Sequence, residues 1–259
     1  MKIFFSEYQS DYTTYTFGYT AYCVKEQTDS FSEIYEKGFL PFTGIQEIQA
    51  SIFYMARSLR VNLSHFENSS ENRRISRKVA ELDLSFNIYR KEDFNINEPS
   101  FRKICLDYAA ARFVGNEMSE DRFDYILSRE TTTHIFEYLL NGKPFGYILT
   151  CIDDEILHYW FAFFDTDLMT SHSIGKWMMW SVINWAQHQD LKHVYLGTAY
   201  NKKSLYKIRD FKGAEFFDGS GWNPKMSELK VLCKTDYLPR SIDRFKEQVS
   251  YDYLIPKSK

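Results

Sequence analysis

The 259 residues suffice for one large core or two smaller ones, at about 100 to 200 residues per domain. A formal charge of −3, from 32 basic and 35 acidic side chains, excludes a globally basic nucleic-acid coat and leaves any anionic partner to a local patch. The four scattered cysteines exclude a structural zinc or iron-sulfur site by spacing, and no apolar run approaches the roughly 18 residues of a membrane helix.

Packing thiols, no membrane contact and a cytoplasmic location are therefore expected, since Glu7 and Asp11 also cut short the amino-terminal apolar run. Up to about residue 84 the chain mixes short strand-like segments with polar breaks. "YTTYTFGYTAYCV" alternates as strands do, and "DSFSEIYEKGFLPF" predicts a helix over about residues 32–37, with Asp29 or Ser30 as N-cap and Gly38 as its stop. Residues 53–55 and 59–63 read as strands. In "ENSSENRRISRKVAEL", Ser69 or Ser70 caps a helix carrying Arg73, Arg74, Arg77 and Lys78 on one broad face. That face is either an anion-binding stripe or simply a solvated one. The spacing of Phe101, Ile104, Tyr108 and Ala111 gives a helical reading over residues 100–129, with Ser119 as a second N-cap.

Beyond residue 130 the period changes. "HIFEYLL", "KPFGYILTCI" and "ILHYWFAFF" are three strands joined by the turn-like "NGK" and "DDE", a β-meander. "DTDLMTSHSIG" is a loop. "KWMMWSVINWAQHQ" is apolar nearly all round, which predicts a helix buried between layers. Next come a strand at "HVYLG", a short helix or two in "NKKSLYKIRDF", a hairpin in "GAEFFDGSGW" and a last strand at "SELKVLCK". This order is that of an α+β, acetyltransferase-like (GNAT-type) fold: a mixed sheet with a central buried helix, whose strands splay apart where an acyl donor binds. It is expected over residues 85–259, after a smaller α/β region over 1–84. A coenzyme A donor needs glycine-spaced main-chain amides at the start of that helix. "TSHSIGKW" offers only Gly175, so another donor is expected, with an acyl-CoA-dependent N-acyltransferase as the alternative.

Several stretches together resemble the arginyl-tRNA-protein transferases and their bacterial leucyl-transferring relatives. "YEKGFLPF" is similar to that family's "GFRRSG" turn, "RVNLSHFENSSENRRISRK" to its Ser-rich, doubly basic run, and "DYAAARFVGNEMSEDRFDYIL" to its Tyr, Arg-His and Met pattern. "FAFFDTDLMTSHSIGKWMMW" resembles "YTFFDP" followed by "SLG" and the central helix. "VYLGTAYNKKSLYKIRDFKGAEFFDGSGW" resembles "YLGYWI", a Lys-Met-x-Tyr-Lys core and a Gly-Trp.

The resemblance implies an aminoacyltransferase passing an amino acid, arginine or leucine, from charged tRNA to the N-terminal α-amino group of a protein or peptide, expected to begin with Asp or Glu. It implies Asp165, Ser173 and Tyr200 as catalytic, and Arg112, Gly175, Tyr195, Gly197 and Tyr206 as substrate-binding. Arg73, Arg74, Arg77, Lys78, Lys202, Lys203, Lys207 and Arg209 would contact tRNA phosphates, with interleaved tyrosines stacking on the acceptor end. Asp165 as a turn cap, Gly175 as a packing glycine, Tyr195 as core and the lysines as a solvated face are the structural alternatives. No cofactor or metal is expected. Phe53 and Ala56 stand where some members carry iron-sulfur cysteines, and Phe113 stands for the His after Arg112. A non-catalytic tRNA- or peptide-binding relative is the remaining alternative.

Overall fold

The computed structural model describes residues 1–13, 15–113, 118–168 and 173–236. Contacts divide them into two compact units. The first holds Met1–Arg60, Leu196–Arg209 and the described residues from Gly213; the second holds Val61–Tyr195 and Asp210–Lys212. The expected cut at residue 84 falls inside the second unit.

The first unit opens with β1 (Lys2–Asp11) and β2 (Thr16–Val24), an antiparallel ribbon. Ser30 starts α1 (Phe31–Glu36) by accepting a hydrogen bond from the Glu33 N–H at 3.1 Å, a side-chain cap that satisfies one otherwise orphaned donor. β3 (Phe39–Pro41) and β4 (Ile52–Met55) complete a four-stranded sheet of order β1-β2-β4-β3. β5 (Ser58–Asn62) carries the chain from the first unit into the second.

In the second unit α2 (Ser70–Val79) begins with a capping box. Ser69 Oγ accepts from the Asn72 N–H at 3.1 Å and Asn72 Oδ1 accepts from the Ser69 N–H at 2.9 Å, which decides between the two candidate serines. Asn72, Ile75 and Val79 face inward, leaving Arg73, Arg74, Arg77 and Lys78 exposed. β6 (Leu84–Arg90) pairs antiparallel with the later β7 (His134–Leu140), and between them lie α3 (Pro99–Arg112) and α4 (Glu120–Ser128), the latter capped by Ser119 as expected. β8 (Lys143–Asp153) and β9 (Ile156–Phe164) extend the meander. Of the expected loop over residues 165–175, residues 169–172 lie outside the described residues. α5 (Ile174–His188) follows, and β10 (His193–Thr198) returns parallel to β9.

The layers of this unit follow from alternation along the strands. Ile135, Tyr147, Leu149 and Phe163 meet Phe101, Cys105, Ala109 and Phe123 of α3 and α4 on one face. Phe136 and Tyr138 turn the other way, to Trp185 and Trp177 of α5. The Tyr138 hydroxyl is shared with Ser181 Oγ at 2.7 Å, so these two polar groups satisfy each other within an apolar layer. α5 is thus packed into the core, as its all-round apolarity predicts.

The chain then returns to the first unit with a 3-10 turn (Lys202–Leu205), α6 (Tyr206–Arg209), β11 (Ala214–Phe217), β12 (Trp222–Asn223) and α7 (Met226–Thr235). α7 corrects the expected strand at "SELKVLCK". A strand would place Leu229, Val231 and Cys233 on one face, but Leu229 and Cys233 are buried while Val231 is 60% exposed, which is helical periodicity. Within this unit Arg60 is nearly buried, ion-paired with Glu36 and Glu215 and stacked on Trp222. All four thiols are buried, Cys23 and Cys233 in the first unit, Cys105 and Cys151 in the second. No helix among the described residues is long and apolar enough to cross a membrane.

Candidate functional site

The second unit holds a break in its sheet. The ladder between β10 and β9 runs from His193↔Ile156 to Tyr195↔His158, whereas β9 continues to Phe164. On the β8 side the register shifts: Leu149 faces Phe161 and Thr150 faces Tyr159, which leaves Trp160 as the extra residue of a bulge. A bulge bends its strand and increases local twist, so β9 turns where its pairing with β10 stops.

Beyond the bulge, Phe161 and Phe163 stack on the α3 side at 6.0 Å, while Phe164 turns toward α5. A Cβ on Gly175 would sit 2.9 Å from Phe164 Cζ, so this glycine lets the first turn of α5 close onto the ring. Tyr108 of α3 packs on Phe164 at 4.8 Å and hydrogen-bonds Arg112; burial pushes its hydroxyl pKa up, and the neighbouring guanidinium partly offsets that. Arg112 itself is exposed at the end of α3.

Asp165 closes β9. Its N–H donates to the Phe145 carbonyl at 2.8 Å, and its Oδ1 accepts from the Asp167 N–H at 3.0 Å, capping the short turn Thr166–Leu168. The carboxylate is exposed. Ser173 precedes α5 in the left-handed region, at φ 56° and ψ 38°, and its carbonyl accepts from the Lys176 and Trp177 N–H groups. Its hydroxyl makes no capping bond. Lys176, in the first turn of α5, is held by Asp210 at 3.0 Å and Glu71 at 3.4 Å. Tyr195, expected as substrate-binding with a core role as the alternative, is fully buried at the end of the β9–β10 ladder.

The four basic residues of α2 are differently engaged. Arg74 pairs with Glu71, Arg73 donates to the Asn68 carbonyl and Arg77 donates to the Arg73 carbonyl, yet all remain exposed, as does Lys78.

In the first unit, the segment after β10 carries the rest of the expected set. Gly197 adopts φ 78°, and Lys207 reaches back across it: Nζ donates to the Leu196 carbonyl at 2.9 Å and the Thr198 carbonyl at 3.0 Å. Lys207 is thus a strut that satisfies two main-chain acceptors, not an outward phosphate ligand, and burial pushes its ammonium pKa down to about 8. The expected tRNA contact is corrected accordingly. Lys202, Lys203 and Arg209 are exposed, and Tyr206 is 47% exposed.

Tyr200 has a partner that the sequence did not point to. Its hydroxyl accepts from the Arg57 N–H at 2.9 Å and its ring lies 4.8 Å from the Arg57 guanidinium, which in turn grips Asp236 through both terminal nitrogens. Arg57 opens the run "RSLRV", but a surface arginine and a latch look alike in sequence.

Residues 116–212 match the model of the family described as acetyltransferase (GNAT) domain. The fold is of the GNAT type. The aspartate/glutamate leucyltransferase of Rhizorhabdus wittichii is 27% identical over 178 residues, 64% of this chain and 64% of its own. That of Rhodospirillum rubrum is 35% identical over 108 residues, 39% of this chain and 43% of its own. The chain therefore spans under two thirds of the length of each. Among solved structures, L-PGS from Bacillus licheniformis aligns with a TM-score of 0.41 at 10% identity, covering 64% of this chain and 48% of that one.

Proposed function

We propose that the chain is an aminoacyl-tRNA-dependent transferase that moves an amino acid, arginine or leucine, onto the N-terminal α-amino group of a protein or peptide. The observation that carries the reading is the likeness to two proteins named aspartate/glutamate leucyltransferase, over stretches joined to a GNAT-type fold. The geometry at α5 supports it over an acyl-CoA donor. Gly175 is spent on packing against Phe164, and two carboxylates, Glu71 and Asp210, gather at Lys176 in the first turn, where a pyrophosphate would meet their charge.

In this reaction the amine nitrogen bonds to the ester carbonyl carbon, the ester C–O bond breaks, and the terminal ribose oxygen leaves with a proton while the amine loses one. The ester is already activated, so the reading invokes no cofactor or metal. What the protein supplies is alignment, a proton acceptor and donors to the developing oxyanion. Asp165, exposed at the end of β9, is assigned to hold the incoming ammonium and take its proton. Ser173 and the Gly175 amide are assigned to the ester, and Arg112 to an acidic first side chain of the acceptor. Arg73, Arg74, Arg77 and Lys78, with Lys202, Lys203 and Arg209, are assigned to tRNA phosphates.

The test is transfer of labelled amino acid from a total charged tRNA pool to peptides differing only at the first residue. Incorporation is expected, strongest on Asp or Glu, and Asp165→Asn should lower kcat by about 10²-fold or more. No incorporation with any peptide would defeat the reading, and thermal stabilisation by acetyl-CoA would favour the alternative donor.

A further inference from the structure

Among the described residues of its own unit, nothing covers the ribbon of β1 and β2 over much of its length. Every residue of β1 from 5 to 10 is exposed, so both faces of the ribbon meet solvent. Six aromatic side chains stand out on it: Phe5, Tyr8, Tyr12, Tyr15, Phe17 and Tyr19, with Tyr12 75% and Tyr15 79% exposed and Tyr12 set edge-on to Phe17 at 5.3 Å. Two-stranded ribbons are marginal in water, and monomers rarely leave so much aromatic surface open unless something binds it.

Charge and composition narrow the occupant. Between Ile3 and Val24 the only charged side chains are Glu7 and Asp11. Lys2 is a lone cation at the start of β1 and the rest of the arm has none to neutralise phosphates, which disfavours RNA here. Tyrosine with Ser and Thr is the composition of adaptable protein-binding surfaces. Among the described residues the sheet order also ends on β1, whose outer edge can accept another strand. The bulge between Glu7 and Gln9 limits the regular run to residues 2–7, about one average strand, and interrupts the longer run that pairing with a second copy of β1 would use.

The geometry points to the β1–β2 arm as the docking surface for an extended segment of the acceptor polypeptide, with neutral or cationic side chains, added along residues 2–7 of β1. This rests on the proposed function only in taking the acceptor to be a polypeptide. Main-chain hydrogen bonds would give affinity and the tyrosines with Glu7 and Asp11 would select side chains.

The test uses the full chain and a peptide that begins with Asp and continues with alternating valine and lysine. Hydrogen exchange should show new protection confined to residues 2–7. An N-methylated version of the peptide should bind at least about tenfold more weakly, as should the double variant Glu7→Lys/Asp11→Lys, a loss of about 1.4 kcal/mol. Binding without protection of β1, or indifference to both changes, overturns the docking. So does a dimer broken by Tyr12→Ser/Tyr19→Ser, or RNA protecting the arm. A dipeptide acceptor, which has no segment to dock, separates this from transfer itself. The double variant should raise KM for the long peptide and leave the dipeptide unchanged; equal effects on both overturn the docking. If no acceptor is modified while the peptide still protects β1, the transfer reading fails and the docking stands.

Discussion

A methyl group at position 175 would lie 2.9 Å from the Phe164 ring, itself buried. In an open helix Gly→Ala stabilises by about 0.5–1 kcal/mol, whereas overpacking costs about 1–3 kcal/mol. The second term wins, so Gly175→Ala is expected to lower Tm, and Phe164→Leu added to it should recover most of the loss. A raised Tm for the single variant would show that the ring moves aside freely. Lys207 gives a pH dependence with a definite sign. Its pKa of about 8 lies below the ordinary 10.5, so between those values the unfolded chain binds more protons and stability rises with pH. Lys207→Met should remove that rise and, by orphaning two carbonyls, destabilise by about 1–3 kcal/mol. Urea unfolding of both proteins from pH 7 to 10.5 measures it; parallel curves would place the ammonium in water. The sequence misread this lysine for a physical reason: in a basic run, an inward and an outward ammonium leave the same trace, and only the folded chain shows which carbonyls lack donors.

Among elements, those with an end signal were legible. Ser30, Ser69 and Ser119 each stand three residues before the N–H they cap, a local geometry that short-range reading captures. Ser69→Ala should cost about 1 kcal/mol, read as a shift in the urea midpoint. Reversing Arg73 and Arg77 to Glu should spare that midpoint and weaken tRNA binding, with a shallower salt dependence; unchanged binding would leave the face merely solvated. β1 went unassigned because it is exposed on both faces from residue 5 to 10, so no buried face imposes an alternation, and β6 because its partner β7 lies beyond two helices in the chain. α7 was misassigned because "LKVLCK" alternates as well as it repeats at helical spacing, and packing of Leu229 and Cys233 decides between the two. The bulge at Trp160 left no trace at all, since an extra residue in a strand has no composition of its own.

At the scale of the molecule, the first unit is assembled from three stretches of chain. A reading along the sequence places a boundary near residue 84 and cannot see that residues 196–209 and 213–236 return to the beginning. Arg60 needs Glu215 and Arg57 needs Asp236 within that unit. A fragment of residues 1–84 is therefore expected to show no cooperative unfolding by circular dichroism; a sharp transition would mean that the amino-terminal sheet is self-sufficient.

Each unit also carries two enclosed cysteines. A thiol reagent added to the native protein can modify Cys23 or Cys233 only when the first unit breathes, and Cys105 or Cys151 only when the second does. The wild-type chain is thus its own stopwatch: mass spectrometry of the labelled peptides would time the opening of either half separately, without a single introduced probe.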